Sequence, residues 1–287
     1  MPMTINTNMQ SLNAQRNLST SQSSLSLSMQ RLSSGLRVNS AKDDAAGLAI
    51  AERMNSQVRG MNVAVRNAND GISMSQTAEG ALGKVTDSLQ RMRELAVQAA
   101  NATNSDADKD SLDKEFGELS KEIQRVLGGT SFNGQHILGA EAGTKTFQVG
   151  ANTSSNDTID ITTTDMTADA TITTVAGTDN TGTGRAVIDN TADATAIRTV
   201  IDNIDTAIDT VSGQRAIMGA SQSRFDSVIA SLQVNVENQS AARSRIMDTD
   251  FASETANLSR ANILQQAGNA MVAQANQLPQ QVLSLLR

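Results

Sequence analysis

The sequence predicts a mainly α-helical protein: a long antiparallel coiled-coil rod with a small β-hairpin and loop lobe and both termini at one end. Between residues 197 and 236, alternate steps of four and three residues meet twelve positions, ten of them apolar. Such a repeat is the seam of a coiled-coil helix, and that seam needs a partner helix. The twelve positions are Ile197, Ile201, Ile204, Ile208, Val211, Arg215, Met218, Gln222, Phe225, Ile229, Leu232 and Val236.

A second apolar stripe in the first hundred residues supplies that partner. Apolar residues recur at three- and four-residue spacing from Ala51 to Ile72, and the repeat resumes from Leu82 to Ala99. One helix from about residue 45 to about residue 100 would be ~80 Å long. Because Pro2 and Pro279 are the only prolines, neither long helix contains a proline that would break it.

The segment before this helix predicts a weaker helix and then a joint. The stripe of the weaker helix is too narrow to fold alone. In the joint, Ser40 is predicted to cap the long helix, while Asp43 and Asp44 complement its positive N-terminus. The stripe consists of Leu25, Met29, Leu32 and Leu36.

After the long helix, residues 101–129 predict a turn and a third helix. Asn101–Asn104 breaks the apolar repeat, Ser105 begins the next helix above an acidic first turn, and Gly128 with Gly129 ends it. Its stripe consists of Phe116, Leu119, Ile123 and Val126.

The period then changes from 3.6 to two, which is typical of strands. Residues 146–149 and 158–162 alternate polar and apolar side chains, so they predict a hairpin closed by residues 150–157. From Asn152 to Ala196 there are fourteen Thr and seven Asp against one Arg. We therefore expect an exposed lobe at about residues 140–190 that is too polar to contribute to a core.

The chain ends in a second polar, lightly charged segment with an apolar stripe. We expect a terminal inner domain of residues 1–44 and 243–287, and a helical rod domain of residues 45–242. The terminal stripes cannot alone offset an ordering entropy of ~1–2 kcal/mol per residue, so they predict an assembly seam that orders on polymerisation. That seam consists of Leu25, Met29, Leu32, Leu36, Ile263, Leu264, Met271, Leu278, Val282 and Leu285.

The composition favours a structural protein over an enzyme, and no cofactor is expected. The chain has no Cys, Trp or Tyr and a single His, so it is poor in the groups that move protons near neutral pH. A net charge of −7 argues against nucleic acid, and no apolar run is long enough to span a bilayer. The acidic run at 106–115 lacks the glycine and glutamate spacing of a calcium loop, and His136 has no second histidine to form a metal-ligand pair.

Several stretches of the sequence resemble bacterial flagellin. The resemblance covers about residues 1–150 and 195–287, whereas the middle is short and lacks the outer domains of larger flagellins. The matching stretches are Asp43–Ala51, Asn69–Ile72, Gln76–Leu82, Leu89–Gln98, Phe132–Gly134 and Gln274–Arg287.

The resemblance implies a structural subunit that polymerises into the flagellar filament for swimming motility. It implies export through the flagellum's own type III channel, so the protein would be secreted without a cleaved signal. The alternative within the same structural class is a hook–filament junction protein. The implied partners are further copies of the chain, the flagellar cap, an export chaperone, hook-junction proteins and host flagellin receptors, with no membrane insertion.

The resemblance also implies residues of innate immune recognition. Arg91, Leu95 and Glu115 occupy positions that meet the Toll-like receptor for flagellin. Arg91 and Leu95 lie four residues apart on one helix, and Glu115 belongs to the next, antiparallel helix, so we expect one small mixed patch. The terminal leucines that resemble those read by cytosolic inflammasome sensors are Leu283, Leu285 and Leu286.

Overall fold

The computed structural model describes the backbone of residues 7–285 and the side chains of residues 7–277. Six α-helices dominate this part of the chain, which confirms the predicted mainly helical fold. The helices are α1 (Met9–Ser34), α2 (Ala45–Ala99), α3 (Asp106–Gly129), α4 (Ala170–Ala176), α5 (Ala194–Met247) and α6 (Phe251–Leu285). The strands are β1 (Ser131–Phe132), β2 (Gln135–His136), β3 (Thr144–Gln148) and β4 (Thr158–Thr162).

The chain divides into two compact units. The terminal unit comprises Met1–Ser56 and Glu237–Arg287, and the central unit comprises Gln57–Val236. Helices α2 and α5 contribute residues to both units, whereas α1 and α6 belong to the terminal unit.

In the central unit, α2 and α5 form the predicted antiparallel pair. The Nε atom of Arg93 lies 2.6 Å from Oδ1 of Asp205, and Nε2 of Gln222 donates to Oε2 of Glu79 over 2.8 Å. Residues that come later in α2 therefore lie beside residues that come earlier in α5, so the two helices are antiparallel. The seam prediction is confirmed, because its alternate positions are buried: Leu232 is 8% exposed, and the other five are at most 1% exposed, namely Ile197, Ile204, Val211, Met218 and Phe225.

Helix α3 begins as predicted and runs back along α2. The Ser105 hydroxyl accepts from the backbone N–H of Asp108, whose carboxylate accepts from the N–H of Ser105 in return, forming a capping box. Phe116 and Ile123 of the predicted stripe are buried in the core. The helix continues through both glycines, and Thr130 caps its C-terminus.

Two antiparallel hairpins follow α3. The predicted hairpin is confirmed as β3 and β4, in which Thr144 pairs with Thr162 and Gln148 with Thr158. The second hairpin, β1 and β2, is only two residues long on each side and was not predicted as strands. Asn133 and Gly134 form its turn with φ angles of 50° and 80°, which asparagine and glycine adopt most readily.

The prediction that the threonine-rich segment is too polar for a core was wrong. Five of its apolar side chains are completely buried, and α4 forms within it. Its aspartates explain the difference: Asp165, Asp169, Asp179 and Asp189 each accept from the backbone N–H and the hydroxyl of the threonine two residues later. Because these local turns satisfy the polar groups, the few apolar residues are free to point inward. They are Met166, Ile172, Val175, Ala176 and Ile188.

In the terminal unit, α1 and α6 lie side by side and antiparallel. Asn8 Nδ2 donates to the Ala275 carbonyl over 2.7 Å, and the Ser11 hydroxyl donates to Asn276 Oδ1 over 2.8 Å. The start of α1 therefore lies beside the later part of α6, so the two ends of the described chain come together as predicted.

The joint between α1 and α2 differs from the prediction in its capping residue. Asp44, rather than Ser40, caps α2, because its Oδ1 atom accepts from the N–H of Gly47 over 2.8 Å. Asp43 Oδ2 accepts from the N–H groups of Asn39 and Ser40 and from the Ser40 hydroxyl. These hydrogen bonds, chiefly the one from the Ser40 backbone, lower the pKa of Asp43. Ser40 thus closes the turn and does not cap the helix, which starts five residues later at Ala45.

No helix in the described part of the chain is long and apolar enough to cross a membrane.

Candidate interaction surfaces

Small residues make the contact between α1 and α6. Ser11, Ser28, Ala261 and Ala275 are each less than 9% exposed, and the backbone of Gly268 lies close to Leu18. Small side chains let two helices approach closely, but they bury little apolar area. Although some large apolar side chains, such as Leu18, Leu25 and Leu32, are half-buried, many others in these helices are therefore available for further contacts.

Many of those large side chains point into solvent. Ile263 is 66% exposed and Met271 is 63% exposed. Met9 and Met29 project from nearly opposite sides of α1, because twenty residues at 100° each amount to about five and a half turns. The exposed set therefore lies on more than one side of α1 and does not line a single face. Its members, called here the exposed apolar set, are Met9, Leu12, Leu27, Met29, Phe251, Ile263, Leu264 and Met271.

The structure places the predicted assembly seam in three environments. Leu25 and Leu32 are half-buried, and Leu36 packs partly against the small cluster of Val38, Ala51 and Met247. Four seam residues belong to the exposed apolar set: Met29, Ile263, Leu264 and Met271. The side chains of Leu278, Val282 and Leu285, like the terminal leucines Leu283 and Leu286, lie outside the described side chains.

The structure brings together two of the three residues predicted to meet a receptor. Nε of Arg91 on α2 lies 2.8 Å from Oε1 of Glu115 on α3, and Nη1 lies 2.9 Å from Oε2 of Glu94. Arg91 and Glu115 are each about half exposed, at 50% and 47% of their side chains. Hydrogen bonds from Arg91 to Glu115 and then to Glu94 raise the pKa of the guanidinium.

The prediction that Leu95 shares this exposed patch was wrong, because Leu95 is only 1% exposed. The expectation treated α2 as having a single seam toward α5. Helix α3 also packs along α2, so α2 buries a wider arc than a two-helix coiled coil requires. Leu95 lies within that arc, in the same core cluster as Met92 and Phe116.

A second exposed ion pair lies on another side of α2. Two of the three guanidinium nitrogens of Arg93 donate to Asp205 on α5: Nε to Oδ1 over 2.6 Å, and Nη2 to Oδ2 over 3.2 Å. Its side chains are as exposed as those of Arg91 and Glu115, at 45% and 48%. This hydrogen bonding raises the pKa of Arg93.

A less exposed ion pair, which the sequence analysis missed, connects the threonine-rich segment to α3. Nη1 of Arg185 donates to Oδ1 of Asp113 over 2.9 Å, and Oδ1 also accepts from the N–H of Ile188 over 3.0 Å. The guanidinium lies 6.0 Å from the ring centre of Phe116 and against Gly117, where a side chain would crowd it. Arg185 is the only basic residue between Asn152 and Ala196, and that isolation was the available signal.

The environment of Asp113 lowers the pKa of its carboxyl group. Burial alone would raise this pKa, but the hydrogen bonds from Arg185 and Ile188, together with the charge of Arg185, outweigh burial. The same pairing raises the pKa of Arg185.

The acidic run of α3 is distributed among separate partners. Asp108 belongs to the capping box, Asp110 accepts from the N–H of Asn190, and Asp113 and Glu115 pair with different arginines. Within the described residues, no three His, Cys, Asp or Glu side chains are grouped to hold a metal ion. His136 is exposed at the small hairpin.

Two family models match most of the chain. The model described as the bacterial flagellin N-terminal helical region matches residues 5–144. The model described as the bacterial flagellin C-terminal helical region matches residues 201–286. The unmatched residues between them include the threonine-rich segment.

Whole proteins of the same kind match along nearly their full length. A flagellin of Halalkalibacterium halodurans is 46% identical over 285 residues, which cover 99% of this chain and 100% of that protein. A flagellin of Bacillus subtilis is 42% identical over 307 residues, covering 99% of this chain and 100% of that protein.

One solved structure has a related fold. A putative flagellar hook-associated protein from Vibrio parahaemolyticus matches with a TM-score of 0.59 over 72% of this chain and 100% of that chain. At 14% sequence identity this likeness shows the fold alone.

Proposed function

We propose that α1 and α6 join this chain to neighbouring copies in a filament. The chain belongs to the bacterial flagellin family. It is therefore a structural, non-enzymatic subunit of the extracellular flagellar filament, which serves motility. The family implies self-polymerisation. The proposal concerns which surface carries the contacts.

The observation that carries this proposal is that the terminal unit buries small side chains and exposes large apolar ones. Small residues fill the contact between α1 and α6, whereas the exposed apolar set remains in solvent. Each square ångström of apolar surface removed from water contributes about 25 cal/mol, so covering several such side chains drives association. Large exposed apolar surfaces of this kind mark protein interaction sites.

The proposal includes the predicted domains and the whole assembly seam. Residues 1–44 and 243–287 form the inner, copy-to-copy domain, and residues 45–242 form the rod domain. Because apolar side chains are exposed on more than one side of α1, this helix suits a position between two or more neighbouring copies. A helical polymer provides such a position. The flagellar cap, an export chaperone and hook-junction proteins are the further partners that the family resemblance implies.

For receptor recognition, we propose a contact formed by Arg91 and Glu115 alone. An exposed arginine beside a carboxylate suits the role of an interface anchor, because arginine is enriched among residues that dominate binding energy. Because Leu95 is only 1% exposed, the proposal omits it from this surface and gives it a role in supporting α2. The proposed inflammasome contact at Leu283, Leu285 and Leu286 rests on the resemblance of those residues.

An aspartate in the exposed apolar set tests the assembly proposal. Met271→Asp places a charge where we expect a neighbouring copy to pack, and burying an unpaired charge opposes assembly strongly. The wild-type chain should form long filaments by negative-stain electron microscopy, and Met271→Asp should remain monomeric with unchanged unfolding. Long filaments from the variant would contradict the proposal, and short adaptors from the wild type would favour a hook–filament junction protein.

A further inference from the structure

A cleft lined by both polar and apolar groups lies between α1 and α6 within the terminal unit. Its volume is about 350 Å³, enough to admit a few side chains. Ser28 and Ala261 are nearly completely buried there, whereas Leu27 and Leu264 are among the exposed large apolar residues that also line it. An open cleft of mixed lining, bordered by exposed leucines, suits the side chains of a protein helix better than a small ligand.

The cleft contains a charged pair that is incompletely hydrogen-bonded. Nη1 of Arg31 lies 3.9 Å from Oε2 of Glu254, which exceeds hydrogen-bonding distance. The Glu254 side chain is only 8% exposed, and Nε of Arg31 is buried without an acceptor among the described residues. Both charges are therefore partly withdrawn from water without full compensation from the chain itself.

This arrangement is unfavourable as long as no other molecule completes its hydrogen bonds. A buried polar group without a partner destabilises the state that contains it, and a buried charged group does so more strongly. Such groups are most useful when they specify one packing arrangement, as a single buried asparagine fixes the register of a coiled coil. The cost would be offset if another molecule completed the hydrogen bonds.

We propose that a helix of a second copy of this chain packs across the cleft and that its side-chain amides enter it and hydrogen-bond Arg31 and Glu254, which thereby set the register between copies. This inference rests on the proposed assembly role of α1 and α6 and identifies the polar contact within it. The exposed leucines contribute apolar area to the contact between copies, and hydrogen bonds to the charged pair fix the register of that contact.

The composition of the terminal helices identifies an amide-bearing occupant. Helix α1 contains no acidic residue, and Glu254 is the only acidic residue of α6. The basic residues of these helices are also few, namely Arg16, Arg31 and Arg260. Most of the long polar side chains that a second copy's terminal helices present are therefore amides, which donate and accept at once and so serve both members of the pair. The exposed amide residues of these helices include Gln10, Asn13, Gln15, Asn17, Asn262, Gln266, Asn269 and Gln274.

The double variant Arg31→Met/Glu254→Leu tests the inference. It removes both members of the pair together, so neither is left buried without the other, and such replacements are often neutral or stabilising. Arg260, the third charged residue of the cleft, is exposed and keeps its contact with water. The urea midpoint of the monomer should stay the same or rise, while the protein concentration needed for polymerisation should rise about tenfold, as for the loss of a charge-assisted hydrogen bond. Glu254→Gln, which keeps the size and polarity of the side chain, gives a second variant with a smaller effect in the same direction.

The matched control is Arg125→Met/Glu122→Leu, which removes an exposed ion pair within one turn of α3 and should leave polymerisation unchanged. Unchanged polymerisation of the Arg31/Glu254 variant would overturn the inference, as would a loss of polymerisation fully matched by a loss of monomer stability. Met271→Asp separates the two proposals. If Met271→Asp blocks assembly while the Arg31/Glu254 variant assembles normally, the register role fails and the assembly role stands.

Discussion

Gly71 of α2 lies directly against the ring of Phe225 of α5, where a Cβ atom would come within 2.7 Å of Phe225 Cζ. The same ring makes an edge-to-face contact with Phe147 of β3, with ring centres 5.6 Å apart. The absence of a side chain at position 71 therefore lets one aromatic ring connect both long helices and the hairpin.

Gly71→Ala should destabilise the monomer. The added methyl group overlaps a ring that is held on two sides, and overpacking of this kind costs about 1–3 kcal/mol. Urea unfolding followed by circular dichroism at 222 nm measures the change in the free energy of unfolding. A neutral result would show that Phe225 moves freely, which would contradict its place as a fixed seam residue.

The matched control for this substitution is Gly83→Ala on the same helix. No atom outside the local helix lies within 4 Å of a Cβ built at Gly83. Since alanine favours a helix over glycine by about 0.5–1 kcal/mol, this variant should be more stable than the wild type. Opposite signs for the two variants are the expected result.

The ion pair of Asp113 and Arg185 should make unfolding depend on acid pH. The pKa of Asp113 is lowered in the folded chain, so its stabilising contribution is complete above the unfolded value of ~3.9 and is lost as the pH falls through the folded value. Asp113→Asn should lower the free energy of unfolding at pH 7 by about 3 kcal/mol, because it leaves a largely buried guanidinium uncompensated.

The difference between Asp113→Asn and the wild type should narrow as the pH is lowered from about 5 to about 2. Asp110→Asn is the control, since this residue accepts a single exposed hydrogen bond from Asn190. Thermal or urea unfolding across this pH range measures both variants. A constant difference between Asp113→Asn and the wild type would mean that the carboxyl group does not titrate with folding.

Receptor signalling by monomer should depend on one exposed ion pair and not on the other. Arg91→Ala/Glu115→Ala should reduce activation of the flagellin receptor on reporter cells by about tenfold or more, in keeping with loss of an arginine anchor. Arg93→Ala/Asp205→Ala removes an equally exposed pair from another side of α2 and should signal normally. Equal loss in both would contradict the assignment, as would normal signalling by a folded Arg91/Glu115 variant.

Leu95→Ala should affect the same signalling assay only through stability. Its side chain is buried in the core cluster, so its truncation should cost about 2–5 kcal/mol of unfolding free energy. At a temperature where the variant is still folded, its signalling should match that of the wild type. Reduced signalling by the folded variant would show that Leu95 reaches the receptor.

Periodicity predicted the long helices because a helix that packs against one partner helix carries its apolar residues at a regular spacing along the sequence. The stripe from Ile197 to Val236 and its antiparallel partner in α2 are of this kind. The burial of Leu95 was missed because a third helix widens the buried arc without changing the period of the seam. The ion pair of Arg185 and Asp113 joins residues 72 positions apart, and the spacing of neighbouring residues in a sequence does not indicate which distant residues pair.

Composition predicted the threonine-rich segment poorly for a related physical reason. Counting polar residues treats every aspartate and threonine as seeking water, whereas the Asp–x–Thr turns satisfy these groups locally. The terminal stripes were identified from spacing, but spacing does not say whether a stripe faces its own chain. In the structure, Ser28 and Ala261 take the inner positions, and Leu264 is left outside.

The central claim is that the exposed apolar set is covered when copies assemble, and thiol protection measures this directly. Because the chain contains no cysteine, Leu264→Cys creates a single thiol, and Ala168→Cys places one on the exposed threonine-rich segment as a control. Both thiols should react rapidly with a maleimide in monomer. In filaments, the thiol at position 264 should be protected by at least about a hundredfold while the thiol at position 168 stays reactive. Equal reactivity of both thiols in intact filaments would contradict the account.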